Sequence, residues 1–508
     1  MTPDLRNADV LVVGAGIMGA GIAQVAALAG HRVRLFDLRH GAAGEARAKL
    51  GATLHGLAAK GRLSAESAQA ALERIETADS LAAARGTGLV VEAIVEQLDA
   101  KRALFRQIDE LLPPEAVLAT NTSSISVTAI ANGLARPGRL VGIHFFNPVP
   151  LMKLVEVVSG LHTDPAVADA VFGLARQWGK TPVHAKSTPG FIVNRIARPY
   201  YAEALALLQE QAAQPAVLDA CLKAAGFRMG PCELMDLIGH DTNFAVTQSV
   251  YEATFQDKRY APSGVQREMV AGGLLGRKSG RGFYDYAAGG GTPAAAVAVF
   301  EAPSTAGQVT VHGRGPVADH LEQAATVALA PQGWGPARER DSGWEGLSVD
   351  GARLVMTDGR TAQARVAEFS MPDVAVFDRV FSHPVAHGTA IAYAVAPSAG
   401  EVWRAQAPAW LAALGFTPLA FADAPGLAAA RTVAMLVNEA ADAVLHGVCT
   451  PEGADAAMKL GVNYPAGPFE WLAGWSVDGV IGVLDALDRE YRGERYRVSP
   501  WLRRRAAI

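Results

Sequence analysis

Val10-Leu11-Val12-Val13-Gly14-Ala15-Gly16-Ile17-Met18-Gly19 carries four apolar residues straight into a glycine-rich turn, and an alanine-rich stretch, 20–29, comes next before Gly30. The order reads strand, tight turn, helix, C-cap. Gly14 permits the turn, Gly16 lets the backbone approach an anionic group, and Gly19 lets the helix pack closely on the strand. The start of that helix offers free N–H groups and a partial positive charge, which suit a pyrophosphate. A second apolar run, 32–36, ends on Asp37, and the interval from Gly14 to Asp37 is that of an acid accepting hydrogen bonds from a ribose. An anionic Asp37 accepts from a 2′-hydroxyl and repels a 2′-phosphate, so NAD is expected rather than NADP, although Arg39 weakens the exclusion.

Further apolar runs at 89–91, 117–119 and 140–144 alternate with helix-like segments, and the expected fold is a doubly wound parallel sheet of Rossmann type over 1–187. Residues 41–84 have an amphipathic helical pattern bearing Lys49, Lys60 and Arg62, and predict a helical hairpin leaning over the ligand cleft. After Ser187-Thr188-Pro189-Gly190 the texture becomes helix-forming, predicting an all-α domain over 188–286. A Gly- and Ala-rich stretch, 287–296, reads as a linker. The remainder of the chain repeats the first half. Val309-Thr310-Val311-His312-Gly313-Arg314-Gly315-Pro316 echoes the opening turn, and Asp423-Ala424-Pro425-Gly426-Leu427 through Arg431 echoes Ser187 through Arg195. A degenerate Rossmann-like unit over 297–422 and a second all-α domain over 423–508 are therefore expected.

A chain of 508 residues exceeds what one core supports. Hydrophobic residues at 50%, charged residues at 19% and a formal net charge of -4 give a globular profile without an electrostatic footprint for nucleic acid or an anionic membrane. Cys221, Cys232 and Cys449 are too scattered for a disulfide framework or a metal site, so no metal is expected and a reducing cytoplasm fits. The N-terminus reaches a strand within ten residues, and glycines break that run before it could serve as a signal or a span.

Four further segments carry chemistry: Asn121-Thr122-Ser123-Ser124, His144-Phe145-Phe146-Asn147-Pro148, Glu156 after Lys153-Leu154-Val155, and Pro189-Gly190-Phe191-Ile192-Val193-Asn194-Arg195. Oxidising a secondary alcohol needs a base to take the hydroxyl proton as hydride leaves carbon, and a histidine does this near neutral pH. His144 ends a strand at the edge where open α/β sheets bind ligands. Glu156 interrupts an apolar run, a buried charge that demands a partner, and His144 is the natural one.

Over residues 8 to 286 these segments resemble the 3-hydroxyacyl-CoA dehydrogenase family, and the last stretch, about 425 to 508, resembles a second copy of that family's helical domain. The resemblance implies NAD-dependent oxidation of a (S)-3-hydroxyacyl-CoA, with Glu156 orienting the His144 imidazole and Ser123 and Asn194 holding the reacting oxygen and the substrate. It further implies that Glu96 and Lys101 approach the nicotinamide ribose, that Lys278 reaches the cofactor from the helical domain, and that Thr53 and Lys60 meet the CoA. The acyl-CoA partner ranges from 3-hydroxybutyryl-CoA in fatty-acid oxidation to 3-hydroxyadipyl-CoA in aromatic-acid breakdown, and self-association is expected through the helical domains. A sugar-acid dehydrogenase would share the glycine turn but would not need His144 and Glu156 at this spacing, and a silent nucleotide-binding scaffold would not need the four-residue set.

The second α/β unit lacks that set. Pro336 stands as far beyond Gly313 as Asp37 does beyond Gly14, and Ala430 takes the place of Asn194. The nearest analogue of the catalytic histidine is His387, with Ala399 at the spacing of Glu156. The unit is expected to be a nucleotide-free relic kept for packing.

Overall fold

A computed structural model describes residues 3–287, 290–381 and 384–506; Ala288 and Gly289 of the expected linker, Ser382 and His383, and two residues at each terminus lie outside the described residues. The contacts divide the chain into two compact units, Met1–Arg195 with Ala443–Val462, and Ile196–Asp442 with Asn463–Ile508.

In the first unit eight strands form one sheet in the order β3-β2-β1-β4-β5-β6-β7-β8. They are β1 Val10–Val13, β2 Val33–Phe36, β3 Ile75–Thr77, β4 Leu89–Glu92, β5 Val117–Thr120, β6 Leu140–Phe145, β7 Leu154–Ser159 and β8 Thr181–Lys186. The central strands are buried end to end, as strands covered on both faces must be. One pair departs from the expected parallel arrangement: β6 and β7 run antiparallel. Residues 146–153 are too few for the crossover that a parallel pair needs. The consequence is chemical, because the antiparallel register sets His144 directly opposite Glu156.

The helix expected over 20–29 begins three residues earlier, at Ile17. The expected hairpin is present as helices Ala42–Ala59 and Ala65–Glu73. Ala43, Ala46, Leu50, Leu54, Ala68 and Ala71 join the apolar core beneath the helix Ile17–Leu28, and the stretch ends in β3 at the sheet edge. Ala-rich helix faces allow that close packing, and small residues give a weak amphipathic signal.

The second unit holds the helical segment after Arg195 and a seven-stranded mixed sheet, order β10-β9-β11-β12-β13-β14-β15. The strands are β9 Val309–His312, β10 Ala337–Glu339, β11 Gly346–Val349, β12 Ala352–Met356, β13 Val374–Phe377, β14 Thr389–Val395 and β15 Phe416–Ala420. Backbone geometry repeats between the copies: Gly190 and Phe191 have φ of 76° and 47°, Gly426 and Leu427 of 73° and 51°. Glu156 pairs with Val183 on β8, and Ala392 pairs with Leu419 on β15, each pair standing at the same interval before its own Gly190 or Gly426 turn.

This register corrects two correspondences expected from spacing. Asp378, whose N–H donates to the Ala392 carbonyl at 2.9 Å, occupies the place of His144, and Ala392 that of Glu156; His387 and Ala399 are not their counterparts. Likewise the Gly14 N–H donates to the Phe36 carbonyl at 2.8 Å and the Gly313 N–H to the Glu339 carbonyl at 2.9 Å, so Arg340, not Pro336, stands where Asp37 does. A longer connection between β9 and β10, which includes the short helix Ala330–Gln332, hides the correspondence from residue counting.

Arg340 cannot accept a ribose hydrogen bond, and Glu345 crowds the second turn, its Cγ 2.6 Å from where a Cβ on Gly313 would lie. One NAD per chain is the expected stoichiometry in a calorimetric titration, and binding should vanish when the first glycine turn is disrupted in a folded variant. Two equivalent sites would overturn the relic reading.

Candidate active site

The glycine turn opening the first unit has the stereochemistry a dinucleotide requires. Gly14 sits at φ 106°, and a Cβ there would lie 2.4 Å from the Ala93 carbonyl oxygen. A Cβ on Gly19 would strike the Gly14 carbonyl, whereas one on Gly16 would meet open space, the side from which a phosphate can approach the backbone. Asp37 leans into the turn, accepting hydrogen bonds from the N–H groups of Ala15 at 2.8 Å and Arg39 at 2.9 Å. Burial alone would raise the Asp37 carboxyl, but those two N–H groups and the Arg39 charge outweigh it and hold it below the ordinary carboxylate range. It is therefore an anion across the physiological range. Asp37→Ala should weaken NAD by about tenfold, the loss of a charged hydrogen-bonding partner, and narrow its advantage over NADP. Equal discrimination by wild type and variant in binding titrations would show that Asp37 does not read the ribose.

Beside the turn, at the end of β4, stands a polar cluster. Lys101 is not a surface charge. It is 1% exposed, with Nζ 2.6 Å from Glu92 and 3.2 Å from Glu96. Glu96 in turn accepts from the Thr122 hydroxyl at 2.6 Å and from the N–H groups of Ser123 and Ser124 at 2.9 and 3.1 Å. Burial opposes ionisation of Glu96, yet the Lys101 charge and these donors prevail and hold its carboxyl below the usual range. Glu96 thus fixes the loop that carries Ser123, whose own hydroxyl lies 3.4 Å from the Glu96 carboxylate.

At the ends of β6 and β7 the expected pair meets. His144 Nδ1 lies 2.5 Å from Glu156 Oε2, with Glu156 fully buried. The second oxygen, Oε1, accepts the N–H groups of Ile192 and Val193 at 2.9 and 3.0 Å. An ionised Glu156 would be acceptor-only, and the ring proton would then sit on Nδ1 with a lone pair on Nε2. Phe146 and Phe191 flank the imidazole, with ring centroids 4.5 and 5.8 Å away. Asn194 follows Val193 in the short helix Val193–Ile196, half-buried. The first unit thus sets His144 and Glu156 opposite each other on β6 and β7, with Ser123 in the loop after β5 and Asn194 in the short helix whose N–H groups hold Glu156. Asn121, to which sequence reasoning gives no role, ties two of these segments: its Oδ1 accepts the Phe145 N–H at 2.9 Å.

Thr53 and Lys60 are both exposed, and the Thr53 hydroxyl donates to the Lys49 carbonyl. In the second unit Lys278 pairs with Asp241. Among the described residues no group of three or more His, Cys, Asp or Glu could hold a metal ion, and no helix is long and apolar enough to cross a membrane.

Comparison with known proteins bears on this geometry. Residues 9–188 match the family model described as 3-hydroxyacyl-CoA dehydrogenase, NAD binding domain. Residues 190–286 and 426–507 both match the C-terminal domain of 3-hydroxyacyl-CoA dehydrogenase, and 354–425 match a 3-hydroxybutyryl-CoA dehydrogenase reduced Rossmann-fold domain. The chain is 43% identical to 3-hydroxyadipyl-CoA dehydrogenase of Escherichia coli (strain K12), covering 98% of this chain and 97% of that one. A probable 3-hydroxybutyryl-CoA dehydrogenase of Bacillus subtilis is 41% identical over 279 residues, 55% of this chain and 97% of the relative. The crystal structure of a 3-hydroxybutyryl-CoA dehydrogenase from Escherichia coli K12 superposes with a TM-score of 0.87 at 42% identity, covering 98% of both chains.

Proposed function

The chain belongs to the 3-hydroxyacyl-CoA dehydrogenase family, an NAD-dependent oxidoreductase, and we propose that His144 is the base that takes the 3-hydroxyl proton of the acyl-CoA. The observation that carries this reading is the buried His144–Glu156 contact, with the far carboxylate oxygen of Glu156 pinned by two backbone N–H groups. Glu156 sets the tautomer that leaves Nε2 able to accept a proton, and its charge stabilises the imidazolium formed. Ser123 and Asn194 donate to the substrate oxygen as it becomes a carbonyl. Gly14, Gly16, Gly19 and Asp37 seat the dinucleotide, and Glu96 and Lys101 hold the loop beside its nicotinamide ribose. Thr53 and Lys60 meet the CoA. When bound, NAD supplies the acceptor for the hydride leaving C3. Phe146 and Phe191 shield the imidazole from water.

We assign 3-hydroxyadipyl-CoA as a substrate, on the ground that the E. coli relative of that name matches both copies along 98% of the chain. NADH formation measured with 3-hydroxyadipyl-CoA and 3-hydroxybutyryl-CoA tests it: a kcat/KM for the six-carbon dicarboxylate at least equal to that for the four-carbon acyl group is expected. A value a hundredfold lower would overturn the assignment while leaving the dehydrogenase reading intact. The reaction belongs in the cytoplasm, self-association is assigned to the helical domains, and the working divisions of the chain are 1–187, 188–286, 297–422 and 423–508.

A further inference from the structure

We propose that the second helical copy is a working part of the first copy's active site: residues 446–461 are a positioning element that holds Glu156 and the Asn194 turn in place. The inference rests on the dyad reading above and adds to it a cause for keeping an eroded second copy.

The segment belongs to the first compact unit although it comes from near the other end of the chain. The Lys186 N–H, at the end of β8, donates to the Val448 carbonyl at 3.0 Å, and Arg195 reaches His446 Nδ1 at 3.2 Å. The helix Pro451–Gly461 packs on β7 and β8. Its last residue makes the decisive contact. A Cβ on Gly461 would lie 2.7 Å from Leu154 Cδ2 and 3.0 Å from Val193 Cγ2. Leu154 precedes Glu156 by two positions on β7, so both side chains point to one face of the strand. Val193 is the residue whose N–H holds Glu156 Oε1 and whose neighbour is Asn194. Gly461 therefore packs against the donor of the bond that fixes the carboxylate and against the strand that carries the carboxylate. Cys449 lies on the same segment, and burial, with the Glu156 charge adding to it, pushes its thiol up to about 12. An inert thiol beside the carboxylate closes that side of the site without competing for a proton.

The arrangement is reciprocal. In the second unit the Ala422 N–H donates to the Ala212 carbonyl at 2.9 Å and Arg431 lies 3.5 Å from Glu210, the same two contacts made at the equivalent positions with the copies exchanged. There the helix Pro215–Ala224 packs on β14, where Ala392 replaces the glutamate. Bracing of an α/β copy by the other copy's helices is thus a feature of the duplicated fold, and in the first unit the braced strand carries the dyad.

Kinetics of the full-length chain separate positioning from mere support. Gly461→Val should lower kcat by about 10- to 100-fold, the scale of a displacement on the order of 1 Å in a reacting group. The KM for NAD should change less than about threefold, because the glycine turn is untouched. The acid limb of the pH–rate profile should move, since a displaced Glu156 no longer stabilises the imidazolium. Adding Leu154→Ala, which removes the struck methyl, should restore part of the loss. Ala225→Val, at the position equivalent to Gly461 in the first helical copy and lining the cavity beside Ala392, should leave kcat and the pH profile unchanged. Should Gly461→Val fail to fold, His446→Ala on the exposed part of the segment gives the same reading, with kcat about fivefold lower and the acid limb moved. Wild-type kcat and pH profile in either folded variant would overturn the proposal, whereas a wild-type rate for His144→Gln would instead overturn the dyad reading beneath it.

Discussion

His144→Gln should lower kcat by about 10²- to 10⁴-fold while changing the KM for acyl-CoA and NAD far less. Glutamine keeps the size and polarity of the side chain, so the β6–β7 pair keeps its register. What it lacks is an atom able to accept the hydroxyl proton at neutral pH. The loss therefore falls on the chemical step, and thermal melting should show a native-like fold. Turnover near the wild-type rate would sink the assignment of His144 as base.

That dyad is largely legible in the sequence, for physical reasons. A charge such as Glu156 inside an apolar strand is costly unless paired, so Leu154-Val155-Glu156-Val157-Val158 announces a buried partner, and the structure supplies it. The glycine turn is legible because three glycines are needed for three separate steric reasons, each visible as a clash or an open space at a missing Cβ. The burial of Lys101 is not legible. A lysine on a helix ordinarily projects into water, and its burial follows from Glu92, a second carboxylate at the end of β4 whose long-range partner no local pattern reveals.

The second copy shows where residue counting fails. Spacing transfers between copies only if the connections keep their lengths, and here they do not. The register instead places Asp378 at the histidine's position. Its carboxylate accepts the N–H groups of Ala428, Ala429 and Ala430 at 2.6 to 2.9 Å, and Ala428 and Ala429 are the counterparts of Ile192 and Val193. Burial pushes the Asp378 carboxyl up to about 6 even though these donors favour its charged form. The copy without a dyad therefore retains an acid that closes the start of the helix, moved from one strand to the next. Capping of buried N–H groups is required for folding, and proton transfer is not, so the first function survives where the second is gone.

The same counting of donors decides what Glu156→Gln should do. Glu156 accepts three hydrogen bonds, one from the His144 ring on Oε2 and two from the Ile192 and Val193 N–H groups on Oε1. A glutamine has one oxygen and one amide nitrogen, so one side of the site must face a donor. If the nitrogen faced the backbone, two buried N–H groups would lose their acceptor, at about 1–3 kcal/mol each. With the nitrogen toward His144, the ring can turn that single contact into a good bond by shifting its proton to Nε2 and accepting on Nδ1. The second arrangement wins on energy and disables the enzyme, because Nε2 then holds a proton where the substrate needs a lone pair. Glu156→Gln should therefore fold with little loss of thermal stability, bind NAD normally and turn over about 10²- to 10⁴-fold more slowly. Its pH–rate profile should also change, since the imidazolium has lost its counter-charge. A variant within a few-fold of the wild-type kcat, with an unaltered profile, would mean that Glu156 does not set the tautomer of His144.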